Sequence, residues 1–153
     1  ATLTKALDKA ADGTTVILAE PGDYAAPHRP AGYMVKKNTR WITVRPARNL
    51  SRDQVVITNE ERSTSKTGIQ YLRWKNLTFD FATIGQFYYG GHWFDGCRWT
   101  NSNGWDERVK RSHHVRGRLY VTDSLCEDTR YGFAAALLVR NCELRRISGD
   151  VFQ

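Results

Sequence analysis

The sequence predicts an all-β solenoid of short stacked strands with an amphipathic helix at its N-terminal end. Two observations carry this expectation. The first is a phrase that recurs with changed letters: Leu72-Arg-Trp-Lys-Asn76-Leu-Thr-Phe79, Trp93-Phe-Asp-Gly96-Cys-Arg-Trp99, Tyr120-Val-Thr-Asp123-Ser-Leu-Cys126 and Leu138-Val-Arg-Asn141-Cys-Glu-Leu144. Each copy is a short apolar strand, a small turn-former, then a second alternating strand. The turn-formers are 20, 27 and 18 residues apart, and a period near 20 with one strand pair per period is the pattern of a solenoid. The second observation is the stripe Leu3, Ala6, Leu7, Ala10, Ala11, which has helical spacing. A helix placed there covers the open end of an apolar interior.

The elements follow in order. Thr2 is the expected N-cap and Gly13 the expected C′ glycine, so residues 1–13 form the capping helix and 14–153 the coils of a single domain. Thr14 to Leu18 is a β-branched strand, and Glu20-Pro-Gly-Asp23 is a turn. Tyr24 to Asn38, with Pro27, Pro30 and Gly32, reads as loop. Trp41 to Val44 is a strand stopped by Arg45-Pro46, and Val55 to Ile57 is the next. Asn59 to Gly68 is polar loop, and Ile69 to Phe81 holds the first copy of the phrase. Ala82 to Gly91 carries Phe87, Tyr88 and Tyr89 between glycines, and Asn101 to Gly117 is the insertion that lengthens one period. Phe79, Trp99 and Leu144 are expected to point inward in register, and Cys97 and Cys142, each just after a turn-former, to pack inside as small apolar groups. Val151-Phe152 starts a further strand with no cap after it. The expectation is a fragment of a longer solenoid, or an open end covered by a second copy.

Composition narrows the function classes. The chain has 153 residues and a net charge of +7, and its mean hydropathy is −0.56. No apolar run approaches the roughly 18 residues of a membrane span, and no signal-peptide pattern opens the chain. A signal peptide removed before Ala1 fits the expected secreted, periplasmic or cell-surface location. Three cysteines exclude a complete disulfide framework, and the lack of CxxC argues against a zinc knuckle. The positive charge points to an anionic partner. No RNP-like, KH or helix-turn-helix pattern accompanies it, so nucleic acid is not the expected partner, and neither is a membrane.

Leu3-Thr-Lys-Ala-Leu7, Ala10-Ala-Asp-Gly13-Thr-Thr-Val-Ile-Leu18 and Glu20-Pro-Gly22-Asp-Tyr24 resemble the start of right-handed parallel β-helix proteins of the pectate-lyase-like superfamily. Trp41-Ile-Thr-Val-Arg-Pro-Ala47, Val55-Val-Ile57 and Tyr71 to Phe79 continue the same order. The likeness is nearest to the early coils of polysaccharide lyases of the alginate-lyase and chondroitinase-B type, and covers about half the chain. It implies a right-handed parallel β-helix, a fold that hosts lyases, esterases, hydrolases, epimerases and tailspikes alike. The hydrolase signature of Asn-Thr-Asp, Asp-Asp and Gly-His-Gly is absent. Arg45-Pro46-Ala47-Arg48 departs from the arginine–proline–arginine spacing of pectate lyases. Trp93-Phe-Asp-Gly96-Cys97 resembles their Trp-Ile-Asp-His-Cys stretch, with glycine in place of histidine.

The partner so implied is an acidic, uronate-containing polysaccharide, bound at a lateral groove. Its β-eliminative cleavage needs a cation to neutralise the carboxylate, a base to take the adjacent C–H proton and an acid for the leaving oxygen. The basic insertion offers these types. The candidate catalytic residues are His113, His114, Arg116, Arg130 and Tyr131, with Lys110, Arg111, Trp105, Tyr88 and Tyr89 in substrate binding. Trp74, Trp93 and Trp99 complete an aromatic content suited to sugar rings. No cofactor is expected, with calcium the one alternative. Asp106-Glu107 and Glu127-Asp128 carry the hard oxygen ligands calcium takes, and the competing reading is solvation or pairing with neighbouring arginines. The rival to an enzyme is a non-catalytic β-helix module or fragment, carbohydrate-binding or structural, self-associating through its open end. Asn49 and Asn76 stand in glycosylation sequons, but neither is read as a glycan site, and Asn76, as a turn-former, is read as structural.

Overall fold

The computed structural model describes residues 2–27, 37–58, 65–66, 69–80, 84–85, 91–100, 118–128 and 136–147. The chain opens with helix α1 (Leu3–Lys9). The Thr2 hydroxyl accepts from the Lys5 N–H at 3.4 Å, which occupies a donor that the helix itself leaves unpaired. Leu3 and Leu7, one turn apart, are its buried residues and join the main apolar cluster. The helix is shorter than the sequence predicts. Ala10 is already extended, so Gly13 is not its C′ residue. Gly13 instead adopts φ +77° in the turn that leads into the first strand.

The strands are β1 (Thr15–Leu18), β2 (Gly22–Ala25), β3 (Ile42–Pro46), β4 (Val55–Thr58), β5 (Ser65–Lys66), β6 (Tyr71–Lys75), β7 (Thr78–Asp80), β8 (Ile84–Gly85), β9 (Gly91–Asp95), β10 (Arg98–Thr100), β11 (Arg118–Thr122), β12 (Leu125–Glu127), β13 (Ala136–Arg140) and β14 (Glu143–Arg145). The structure is thus mostly strand, with one helix. A first six-stranded sheet has the order β1-β3-β6-β9-β11-β13, and a second has β2-β4-β7-β10-β12-β14. A small third sheet pairs β5 with β8. Every pairing described is parallel. Parallel neighbours need a long crossover between them. Here the crossover is the visit to the other sheet, so each pass adds one strand to both.

Three local readings are corrected by this pairing. Gly22 and Asp23, expected in a turn, and Tyr24 and Ala25, expected in a loop, form β2 and align with Val55 to Thr58. The strand after Trp41 continues through Arg45-Pro46, where Leu18 is its partner. Ser65–Lys66 and Ile84–Gly85, both within expected loops, form the third sheet. In each case a long-range ladder overrides the local turn preference of the residues.

The recurring turn-former occupies one backbone state. Asn76 (φ 52°), Gly96 (φ 66°), Asp123 (φ 53°) and Asn141 (φ 52°) are all left-handed, a region that Gly, Asn and Asp reach at least cost. Their positions stack. Asn76 N–H donates to Asp95 C=O at 2.9 Å, Gly96 N–H to Thr122 C=O at 2.9 Å and Asp123 N–H to Arg140 C=O at 3.0 Å. A Cβ on Gly96 would overlap the Asn76 Oδ1. Gly96→Ala therefore combines a strained φ with a clash, and is expected to lower unfolding stability by about 2 kcal/mol. A denaturation midpoint equal to the wild type would refute this.

Strand alternation fills the interior in columns. In the first sheet the inward rows are Ile42, Leu72, His92, Leu119 and Val44, Trp74, Phe94, Val121. In the second sheet Ile57, Phe79, Trp99, Cys126 and Leu144 stand in register, as the phrase predicts for Phe79, Trp99 and Leu144. Phe79 stacks on Trp99 with centroids 5.4 Å apart and meets Trp74 edge-on at 5.5 Å. Cys97 is fully buried and Cys142 half-buried. Both thiols donate to a carbonyl of the preceding pass, Cys97 to Trp74 at 3.4 Å and Cys142 to Val121 at 3.6 Å. Burial pushes the Cys97 thiol up to about 12, so it stays a protonated packing group. Asn38, also buried, donates to the carbonyls of Arg40 and Tyr71 and accepts from the N–H groups of Gln70 and Tyr71. One side chain thereby satisfies backbone from two passes.

Among the described residues no helix is long and apolar enough to cross a membrane.

Candidate functional site

The same alternation that buries Leu72, Trp74, His92 and Phe94 turns their neighbours outward. Counting back from each turn-former, the outer rows of the first sheet are Arg73, Trp93, Tyr120, Leu138 and Lys75, Asp95, Thr122, Arg140. Trp41, just ahead of β3, packs onto this face. Its ring lies 5.5 Å from Tyr71, 5.8 Å from Trp93 and 6.0 Å from Tyr120, all at steep angles. The contact requires Gly91. A Cβ there would stand 2.7 Å from the Trp41 ring, so only a glycine lets the indole rest on the β9 backbone. All four aromatics remain partly exposed.

Charge is layered onto this cluster. The Arg73 guanidinium sits 3.9 Å from the centre of the Trp93 ring, a cation–π contact. It also pairs with Asp95 at 2.5 Å, and Lys75 lies 3.6 Å from the same carboxylate. Trp93 Nε1–H donates to Thr122 Oγ1 at 2.9 Å, and the Thr122 hydroxyl donates to Asp95 Oδ1 at 3.1 Å. Burial alone would raise the Asp95 pKa, but the hydrogen bond and charge of Arg73, with Thr122 and Lys75, outweigh it and hold the carboxyl below its ordinary range. Asp95 is thus a fixed anion that orients Arg73. The cations left nearest solvent are Lys75, with 42% of its side chain exposed, and the exposed Arg140. The arrangement can hold a flat apolar ring with an anionic substituent. Its carboxylate, kept ionised, is unsuited to giving a proton.

His113, His114, Arg116, Arg130, Tyr131, Lys110, Arg111, Trp105, Tyr88 and Tyr89 lie outside the described residues, as does Asp106-Glu107. The described strands fix where the segments that carry them attach. The chain runs from Gly85 to Gly91, from Thr100 to Arg118 and from Asp128 to Ala136, returning each time to the start of a first-sheet strand. Those strands, β9, β11 and β13, are neighbours, so the three return points fall within about 10 Å of one another. Tyr71, which starts β6, and Trp41, just ahead of β3, stand at the same end of that sheet.

The Glu127-Asp128 pair is engaged by arginines. Glu127, almost fully buried, accepts from Arg98 at 2.5 Å and Arg146 at 3.2 Å. Asp128 takes a two-pronged contact from Arg146, which holds its carboxyl below the usual range. Of the aromatics counted toward a sugar surface, Trp74 is fully buried and Trp99 packs on the core, while Trp93 faces outward. Trp41, Tyr71, Arg73, Lys75 and Tyr120 were not singled out by the sequence. The signal for Arg73, Lys75 and Tyr120 was the turn register itself, since odd offsets before Asn76 and Asp123 must face away from the core. No protein-family model, no curated protein and no solved structure matches the chain.

Proposed function

We propose that the two sheets are faces of a right-handed parallel β-helix that binds an acidic polysaccharide along its side. What supports the fold reading is the stacked left-handed turn position at Asn76, Gly96, Asp123 and Asn141, with continuous inward columns beside it. The functional reading rests on a single observation, the cluster of Trp41, Tyr71, Trp93 and Tyr120 with Arg73 and Lys75 on one outer face. A sugar ring offers an apolar C–H face to an aromatic ring. A uronate adds a carboxylate, which a lysine or arginine receives. The sequence segments 101–117 and 129–135, which lead into β11 and β13, carry the remaining groups for β-elimination. Arg116 neutralises the carboxylate, His113 or His114 takes the C–H proton, and the Arg130–Tyr131 pair protonates the leaving oxygen. Calcium remains a candidate helper in carboxylate neutralisation.

The test is binding and turnover on alginate, pectate and chondroitin, with and without calcium. Saturable binding together with rising ultraviolet absorbance from unsaturated uronate supports the lyase reading. His113→Ala and His114→Ala should then each be tried, and unchanged rates would remove them from the site. Binding without absorbance change supports the second reading, a carbohydrate-binding module. The described outer face favours that reading in one respect, because its carboxylate is held charged. If none of the three polymers binds, both readings fail.

A further inference from the structure

The two ends of the sheets differ in how their apolar residues are covered. At the N-terminal end helix α1 buries Leu3 and Leu7 against the main apolar cluster. At the other end β13 and β14 are the last described strands of their sheets. There Leu137 is 63% and Leu138 44% exposed, and the inward Val139 and Leu144 are only half-buried. An apolar strand edge of this kind is a template for another strand. The backbone of β14 is already directed by its inner neighbour. Glu143 N–H donates to the Ser124 carbonyl at 2.9 Å, and the Arg145 carbonyl accepts from the Asp128 N–H at 3.2 Å. Alternate residues of a strand address opposite sides, so Leu144 turns its N–H and C=O away from β12.

We infer that β14 joins two copies of this chain head to head, in an antiparallel β14–β14 pair centred on Leu144. A two-fold axis through Leu144, normal to the sheet, lets it exchange two backbone hydrogen bonds with the partner's Leu144, and both side chains stay on the inward face. Glu143 then stands opposite the partner's Arg145, about 4.5 Å away at the Cα, and symmetry makes this contact twice. Glu143-Leu144-Arg145 is therefore self-complementary when reversed. The two side chains are 58% and 50% exposed and pair with each other at 2.6 Å, so the dimer closes a square of four charges with alternating sign. Leu137 and Leu138, at the same end, are apolar area for the contact to cover. Head-to-tail stacking is disfavoured on two counts. Helix α1 occupies the N-terminal end. Continuing the row Asp23, Val56, Thr78, Arg98, Leu125, Glu143 would also set Glu143 against Asp23 of the next copy, and like charges directly opposite repel. The association thus closes at two and does not depend on what the first sheet binds.

The experiment is sedimentation equilibrium over a range of concentrations at low salt, on the wild type, Glu143→Arg, Arg145→Glu and the double variant. Matching melting temperatures in dilute solution verify that each variant folds. The wild type should reach a dimer and nothing larger. Each single substitution turns both cross-strand pairs from attraction to repulsion, and should weaken the dimer about tenfold or more. The double variant exchanges the two charges and should restore the dimer to within about threefold of the wild type. A wild type that stays monomeric at every concentration overturns the inference and leaves the edge to the chain that follows Ile147. Open-ended oligomers, or tighter association of Glu143→Arg, would mean head-to-tail stacking and overturn it too. Single variants that weaken the dimer with no recovery in the double variant overturn the β14–β14 pairing.

Discussion

Trp74→Ala is expected to destabilise the protein by about 4 kcal/mol. The side chain is fully buried, in register with Val44 on one side and Phe94 on the other, and its ring meets Phe79 edge-on. Removing it leaves a cavity between two sheets whose backbones are tied by continuous ladders, so the walls have little freedom to close. The loss combines the transfer free energy of the indole with the cost of the void. Trp93→Ala, one residue away from the buried Phe94, should cost clearly less. Trp93 is partly exposed, and the substitution removes a cation–π contact and a hydrogen bond without opening the core. Urea denaturation of both variants checks the contrast. Equal losses, or a loss below about 1 kcal/mol at Trp74, would contradict the assignment of inner and outer rows.

The second large effect is acid sensitivity from His92. It is buried in a row of leucines, with Leu72 and Leu119 as cross-strand partners and Phe94 nearby. Loss of solvation pushes its pKa down from 6.5 to about 3. The unfolded chain takes up a proton at this histidine near pH 6.5, the folded chain only near pH 3. Between those values unfolding binds a proton, so stability falls as the pH falls, by up to about 1.4 kcal/mol per pH unit. Above that window both states are neutral at this site and the dependence vanishes. Asp12, which accepts from the Thr39 hydroxyl and the Arg40 N–H, acts lower, as do Asp95 and Asp128. Each is held below its ordinary value of 3.8, so their stabilisation is present above it and lost only as the pH falls through the folded value. His92→Leu, matching its neighbours, should flatten the stability profile between pH 6 and 4 and leave the more acidic limb. A variant profile with the wild-type slope in that interval would refute the assignment.

The strand pairs, the turn positions and the inward columns were legible because they are local. A left-handed turn selects Asn, Asp or Gly, and strand alternation then fixes which neighbours face inward. The same counting puts Arg73, Lys75 and Tyr120 on the outer side, at odd offsets before Asn76 and Asp123. Trp41 was not legible, because its partners Tyr71, Trp93 and Tyr120 lie on three later passes and meet it only through the sheet order. Nor was the role of Gly91, which read as one more glycine in a glycine-rich loop and proves to be the floor beneath an indole. The helix was over-extended because Ala10 and Ala11 continue its apolar stripe, and composition alone carries no signal that Ala10 turns extended. β2 was missed because Pro21-Gly22 reads as a turn until β4 is there to pair with it.

The central claim is that the outer face of the first sheet receives an acidic polysaccharide. Its most direct test is the affinity of a long polyuronate for the wild type and for Lys75→Glu, measured side by side at low salt. Lys75 is exposed, so the charge reversal leaves the core intact, and matching melting temperatures would verify that. The predicted result is saturable binding by the wild type, weakened tenfold or more in the variant, as expected for about 1.4 kcal/mol or more of lost and reversed charge contact. Equal affinity in the two proteins, or no binding by the wild type, would contradict it.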